Sequence, residues 1–167
     1  MNVDLQPLAE WLTGTRLSMF VTGHAWVWPA CESLHFLGLA LLIGSVGLLD
    51  LRLLGFEKHS AFLPVNRFVL WGILGFFINL VTGLLFFVGN PAQYIHNIAF
   101  GWKVLFMLLA GVNVLVFYAT GTYRRVGMLQ PGEDAPLLAK VIAGTSLFLW
   151  FAVMYMGRML PYIGNSF

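Results

Sequence analysis

The chain has 167 residues, 59% of them hydrophobic and 10% charged, and its mean hydropathy is +0.83. A soluble domain carries about 25% charged residues, so the composition excludes an ordinary soluble fold and points to a one-domain integral membrane protein. A net charge of +2 without a basic run gives no ground for a nucleic-acid partner, and the lone Cys31 excludes an internal disulfide and an all-thiolate metal site.

In chain order, Met1 to Glu10 carries Asp4 and Glu10 where a secretory leader would be basic, so insertion is expected to depend on the mature crossings. Residues 5–20 are too short and too mixed to cross. Leu8, Trp11, Leu12 and Met19 fall roughly on one face, which predicts a short interfacial helix within an N-terminal segment of residues 1–29. Trp26 and Trp28 suit the headgroup layer, and Pro29 suits the start of a crossing. Four apolar stretches follow, at about 30–53, 66–89, 98–120 and 136–159, each near the ~20 residues a bilayer requires. The expected fold is an all-α membrane protein, an antiparallel four-helix bundle over residues 30–160 with a tail at 161–167.

Arg52, Lys58, Arg67, Arg124, Arg125 and Lys140 flank the two long polar connections; Arg16, Lys103 and Arg158 lie toward the opposite side. That asymmetry predicts cytoplasmic connections and both termini outside, periplasmic for a bacterial inner membrane.

Small and polar residues in apolar helices face other helices, because lipid gives no driving force and close approach does. The first crossing offers His35, Gly38, Leu42 and Ser45 on one face and Ala40, Gly44 and Gly47 on another. The second offers Gly72, Gly75, Asn79 and Thr82. The third offers His96, Lys103 and Ala110 with Asn113 nearby, and the fourth Gly144, Phe148, Phe151, Tyr155 and Arg158. Packing accounts for the glycines and serines; self-association along Ala40, Gly44 and Gly47 into a homo-oligomer is allowed.

Ionisable residues in a crossing are costly and mark an interior site by default. Glu32 and His35 are three apart, hence on one helix face. At ~1.5 Å per residue, His35 and Lys103 lie about 7–9 Å below the outer boundary. Arg158, Tyr94, His96 and Tyr155 fall toward the same half. The sharpest functional expectation is haem b or a related tetrapyrrole serving electron transfer with a redox partner. His35 is its axial ligand, Lys103 and Arg158 meet propionates, and Glu32 orients the imidazole. His96 is a possible second metal ligand, though it lies at the boundary and His35 about five residues' rise deeper. A copper or small-solute passage is the alternative, using Cys31, His35 and the methionines at 154, 156 and 159, although Met154 and Met156 point about 200° apart. A third reading is a non-catalytic subunit, in which Glu32 pairs with Lys103 and His35 bonds a neighbouring hydroxyl. Asp50 and Arg52 at the inner end read as a clamp, Asp50 pairing with Arg67 or Arg124 and Arg52 snorkelling to headgroups. No hydrolytic constellation, phosphate-cradling loop or zinc-spaced histidine pair is present.

The run Glu32-Ser-Leu-His35-Phe-Leu-Gly38, then Gly44 and Asp50-Leu-Arg52-Leu-Leu-Gly55, resembles a bacterial family of small four-span inner-membrane proteins of unknown function. Asn97, Phe100, Lys103, Ala110-Gly-Val-Asn113 and Gly157-Arg158 extend the match over nearly the whole chain. The chain is more distantly similar to the copper-resistance D proteins and to four-span protoporphyrinogen oxidases. The resemblance implies that Glu32, His35, Lys103, Asn113 and Arg158 form one functional set, and it leaves His96 out. Where a histidine would be expected near the inner end of the third crossing, this chain has Phe117-Tyr118.

Overall fold

The long apolar runs can satisfy their backbone groups within bilayer hydrocarbon only as helices, and helices are what they form. The structure, a computed structural model, describes residues 5–56, 58 and 67–163. Within these, α1 (Gln6–Thr13) and α2 (Arg16–Gly23) lead into α3 (Val27–Leu54) and α4 (Val69–Gly89). A short α5 (Pro91–Ile95) precedes α6 (Ile98–Ala119), and a short α7 (Thr122–Gly127) precedes α8 (Leu137–Met159). Four of them, α3, α4, α6 and α8, are long and apolar enough to cross a bilayer, as in a multi-pass membrane protein. The expected all-α bundle is therefore what the chain builds. The start of the second crossing at residue 66, most of the connection before it, and the last four residues of the tail lie outside the described residues.

α3 packs along α4, α6 along α8, and α3 against α8. The α3–α4 contact is set by glycine. A Cβ on Gly75 would lie 2.5 Å from the Gly38 carbonyl oxygen and 2.6 Å from the Leu42 nitrogen, so the two backbones touch where both residues lack side chains. Gly72, Gly75 and Thr82 are buried on α4, and Gly38, Leu42 and Ser45 on α3, so those two stripes face inward as their residue types predict. Ala40 and Gly44 are exposed. The fourth helix departs from expectation: Phe148, Phe151, Tyr155 and Arg158 face outward, while Ala139, Ile142, Ala143, Ser146, Leu149 and Val153 are buried. Large aromatics are as well solvated by lipid tails as by neighbouring helices, and the small residues take the close contact.

The expected single interfacial helix is two, broken at Gly14 and restarted by the Thr15 hydroxyl, which accepts from the Ser18 amide at 3.2 Å. α2 packs on α4 and α3, and α1 on α5 and α4, while Leu8, Trp11, Met19 and Phe20 stay exposed.

At the far end of α3 the two long connections clasp each other. Asp134 pairs with Lys58 at 3.1 Å and with Lys140 at 2.6 Å, and the Gly132 amide donates to the Lys58 carbonyl at 2.7 Å. Gly55 closes α3 in the left-handed region (φ 96°) and lets the chain turn into this clasp. The clamp expected here thus uses Asp134. Asp50 is buried instead, hydrogen-bonded by Ser146. Arg52 does not snorkel: it is 1% exposed and donates to the Glu133 carbonyl at 3.4 Å.

The Lys140 hydrogen bond, and then that of Lys58, hold the Asp134 carboxyl below its usual range. A carboxyl with a lowered folded pKa contributes stability that is complete above its ordinary value, ~4, and lost as pH falls through the folded value. Asp134→Asn is therefore expected to lower the thermal midpoint slightly at neutral pH, with the gap from the parent closing in acid. A gap that persists undiminished in acid would contradict the clasp.

Candidate functional site

The polar residues near the start of α3 sit where α3, α4, α6 and α8 bring their ends together. His35 is half-buried on α3, and its Nδ1 lies 2.7 Å from the Thr82 hydroxyl on α4. Thr82 is itself buried, with its Oγ1 2.7 Å from the carbonyl of Ile78 one turn earlier. A carbonyl can only accept, and a threonine hydroxyl has one proton. With that proton directed at the Ile78 carbonyl, Oγ1 accepts from His35 and Nδ1 carries the hydrogen, the assignment that satisfies both contacts. In the neutral ring the lone pair is then on Nε2, which makes no hydrogen bond among the described residues. The imidazole packs against Phe86 with centroids 5.6 Å apart, and Phe86 in turn meets Trp28 at 5.0 Å. Gly83 lies beside the ring: a Cβ there would be 3.8 Å from His35 Cε1.

Lys103 is brought to this end by the cap of α6. The Asn97 side chain accepts from the amides of Ala99 (2.9 Å) and Phe100 (3.2 Å), and its Nδ2 donates to the Leu160 carbonyl at the end of α8 (2.9 Å). With α6 and α8 tied there, Lys103 runs across Gly157, a Cβ on which would lie 3.7 Å from Nζ. Lys103 makes no ion pair among the described residues, and its charge is within electrostatic range of His35. A half-buried ammonium in a crossing with no carboxylate partner is a site that favours an anion.

The remaining predicted residues disperse. Glu32 is exposed and accepts from Trp28 Nε1 at 3.2 Å, so Thr82, not Glu32, orients the imidazole, and no Glu32–Lys103 pair forms. Its carboxylate is felt at Tyr94, whose phenol is pushed up by burial and then by Glu32. Tyr94, Phe87 and Phe100 close this end with centroids 5.2–5.9 Å apart. Arg158 is exposed on the outward face of α8, and His96 is exposed just after α5. Asn113 lies in the other half, about 22 Å along α6 from Ile98, where its Nδ2 donates to the Ile142 carbonyl at 3.0 Å and staples α6 to α8. Cys31 is buried against Val21 and Val27, and Met154 lines a shallow apolar groove with Ile43 and Trp150. No group of three or more metal-ligating His, Cys, Asp or Glu residues exists among the described residues. Gly83 was the missed member of the site; Thr82 stood in the small-polar stripe of the second crossing, and it is the neighbouring hydroxyl that the non-catalytic reading gave His35.

A family of unknown function, DUF6644, matches residues 10–165. The chain belongs to this family. The match spans α2 to α8 entire, so the His35 end and the Asp134 clasp both lie inside the matched residues. No curated protein and no solved structure matches the chain, and the distant likeness to copper-resistance D proteins and protoporphyrinogen oxidases gains nothing from these comparisons.

Proposed function

We propose that the protein binds a haem-type tetrapyrrole at the end of the bundle formed by His35, Thr82, Gly83, Lys103 and Gly157. The observation that carries this reading is the His35–Thr82 hydrogen bond beside a Lys103 with no ion pair among the described residues; a non-catalytic subunit accounts for the first but calls for a Glu32–Lys103 pair. Ligating histidines donate their second ring N–H to an oxygen, which fixes the tautomer and the ring plane and raises the basicity of the ligating nitrogen. His35 has that arrangement with Nε2 left over. The residues fit the group in one further way. Lys103 supplies an uncompensated positive charge for a carboxylate, while Gly83 and Gly157 let the His35 ring and the Lys103 side chain lie against backbone. His35 would hold the iron and Lys103 a propionate, with Phe86, Phe87 and Phe100 as the apolar wall. Such an iron exchanges single electrons, with its axial ligand and burial tuning the potential.

In this reading the protein is a bacterial inner-membrane electron carrier. The cation-rich connections with Arg52, Lys58, Arg67, Arg124, Arg125 and Lys140 face the cytoplasm, and the His35 end faces the periplasm, where a redox partner would dock. Arg158, on the outward face of α8, is not needed, and a copper site drawing on Cys31 has no observation in its favour because that thiol is spent in an apolar cluster.

Titration of the detergent-solubilised apoprotein with haemin tests the proposal. Parent protein is expected to give a saturable Soret band at one haemin per chain. His35→Ala should lose it, and Lys103→Met should keep the band with weaker affinity. Equal titration of His35→Ala and parent would reject the site.

A further inference from the structure

We propose that Asp50, with Ser146, forms a second site in the opposite half of the bundle that takes a small cation, a proton or a monovalent metal ion, at Asp50 Oδ2. Asp50 is 6% exposed, and its Oδ2 is buried without a hydrogen-bond partner among the described residues. Among the described residues, the Ser146 hydroxyl on α8 is the side-chain group placed to hydrogen-bond this carboxyl. A buried charge without full hydrogen bonding costs several kcal/mol, and such a group is neutralised by whatever cation can reach it. The placement adds to that pressure: Asp50 lies just before the last turn of α3, toward the negative end of the helix dipole.

The neighbouring charges among the described residues do not relieve it. Arg52, two residues on, points ~200° away around the helix and donates to the Glu133 carbonyl, while Lys140 on α8 is held by Asp134. α4 carries no titratable side chain along its whole length, and α2 has only Arg16, at the other end of α3. On α7, Arg124 and Arg125 are exposed, and Tyr123 packs on the apolar cluster around Leu53. One carboxylate supplies a single negative charge, and with one hydroxyl it falls far short of the six or more oxygens a divalent hard cation takes, so a singly charged cation matches the site. Asn113, bonded to Ile142 O one turn from Ser146, fixes α6 against the same stretch of α8.

Dicyclohexylcarbodiimide, which adds to protonated carboxyls in apolar surroundings, tests this on the full-length protein in detergent. Peptide mass spectrometry at low sodium is expected to find the adduct at Asp50, absent in Asp50→Asn and retained in Glu32→Gln. Adduct unchanged by added sodium identifies the cation as a proton; adduct suppressed by sodium identifies a monovalent metal ion competing for the same oxygen. Absence of label at Asp50 in the parent protein, with or without sodium, overturns the proposal, and that result does not depend on whether the variant folds.

Discussion

Gly75→Ala is expected to destabilise the bundle, although alanine is the better helix former. Propensity alone would favour the change by about 1 kcal/mol. The added methyl, however, would stand 2.5 Å from the Gly38 oxygen and 2.6 Å from the Leu42 nitrogen, both backbone atoms that no rotamer change can move. Overpacking typically costs about 1–3 kcal/mol, and here the whole of α4 must shift, so the upper end applies and the net effect is a loss. Gly75→Leu should prevent the α3–α4 pair from forming. Gly44 provides the control: it is exposed with no atom near its Cβ position, so Gly44→Ala should be neutral or stabilising. Unfolding in mixed micelles, followed by circular dichroism, reads both. A Gly75→Ala variant as stable as Gly44→Ala would show that the backbones do not touch.

The second large effect belongs to Thr82→Val. Valine keeps the shape and removes the oxygen that accepts from His35 Nδ1. The half-buried N–H loses its acceptor, and the ring is free to turn or to move its proton to Nε2, the nitrogen that the proposed haem site uses. Outer-shell changes of this kind typically cost about 10–100-fold in metal affinity, and that is the expected loss in haemin titration, with the Soret band still reached at saturation. Thr82→Ser, which keeps the hydroxyl, should recover most of it. A Thr82→Val protein that binds haemin like the parent would remove the positioning role from Thr82. A variant that loses the band altogether, as His35→Ala should, would mean the hydroxyl holds the fold instead of the ring.

The crossings were legible because bilayer hydrocarbon imposes length and hydropathy on each of them. The inward stripes of α3 and α4 were legible for a related reason: Gly38, Gly75 and Thr82 have no cause to be in a crossing other than contact. The fourth helix misled because its periodic aromatics, Phe148, Phe151 and Tyr155, form an equally regular stripe that lipid accommodates, while Ala139, Ala143 and Ser146 carried the contact. The site was legible by residue and not by pairing. His35 and Lys103 stand out as ionisable groups in apolar runs, but the His35–Thr82 bond joins residues 47 apart, and nothing local announces it. The expected Glu32–His35 partnership followed helix spacing correctly; Glu32 instead reaches one turn back to the Trp28 indole, a nearer donor at the wetter end. Asp50 and Arg52 looked like surface charges because they end a crossing, and their burial depends on α8 and on the Glu133 segment folding over them.

The most direct measurement is an absorption spectrum, with metal analysis, of protein gently solubilised from membranes of cells supplied with haem. The account predicts a Soret band with stoichiometric iron in the parent, and none in a His35→Ala protein that keeps its helicity. A colourless parent protein, or a band that survives the loss of His35, would contradict it.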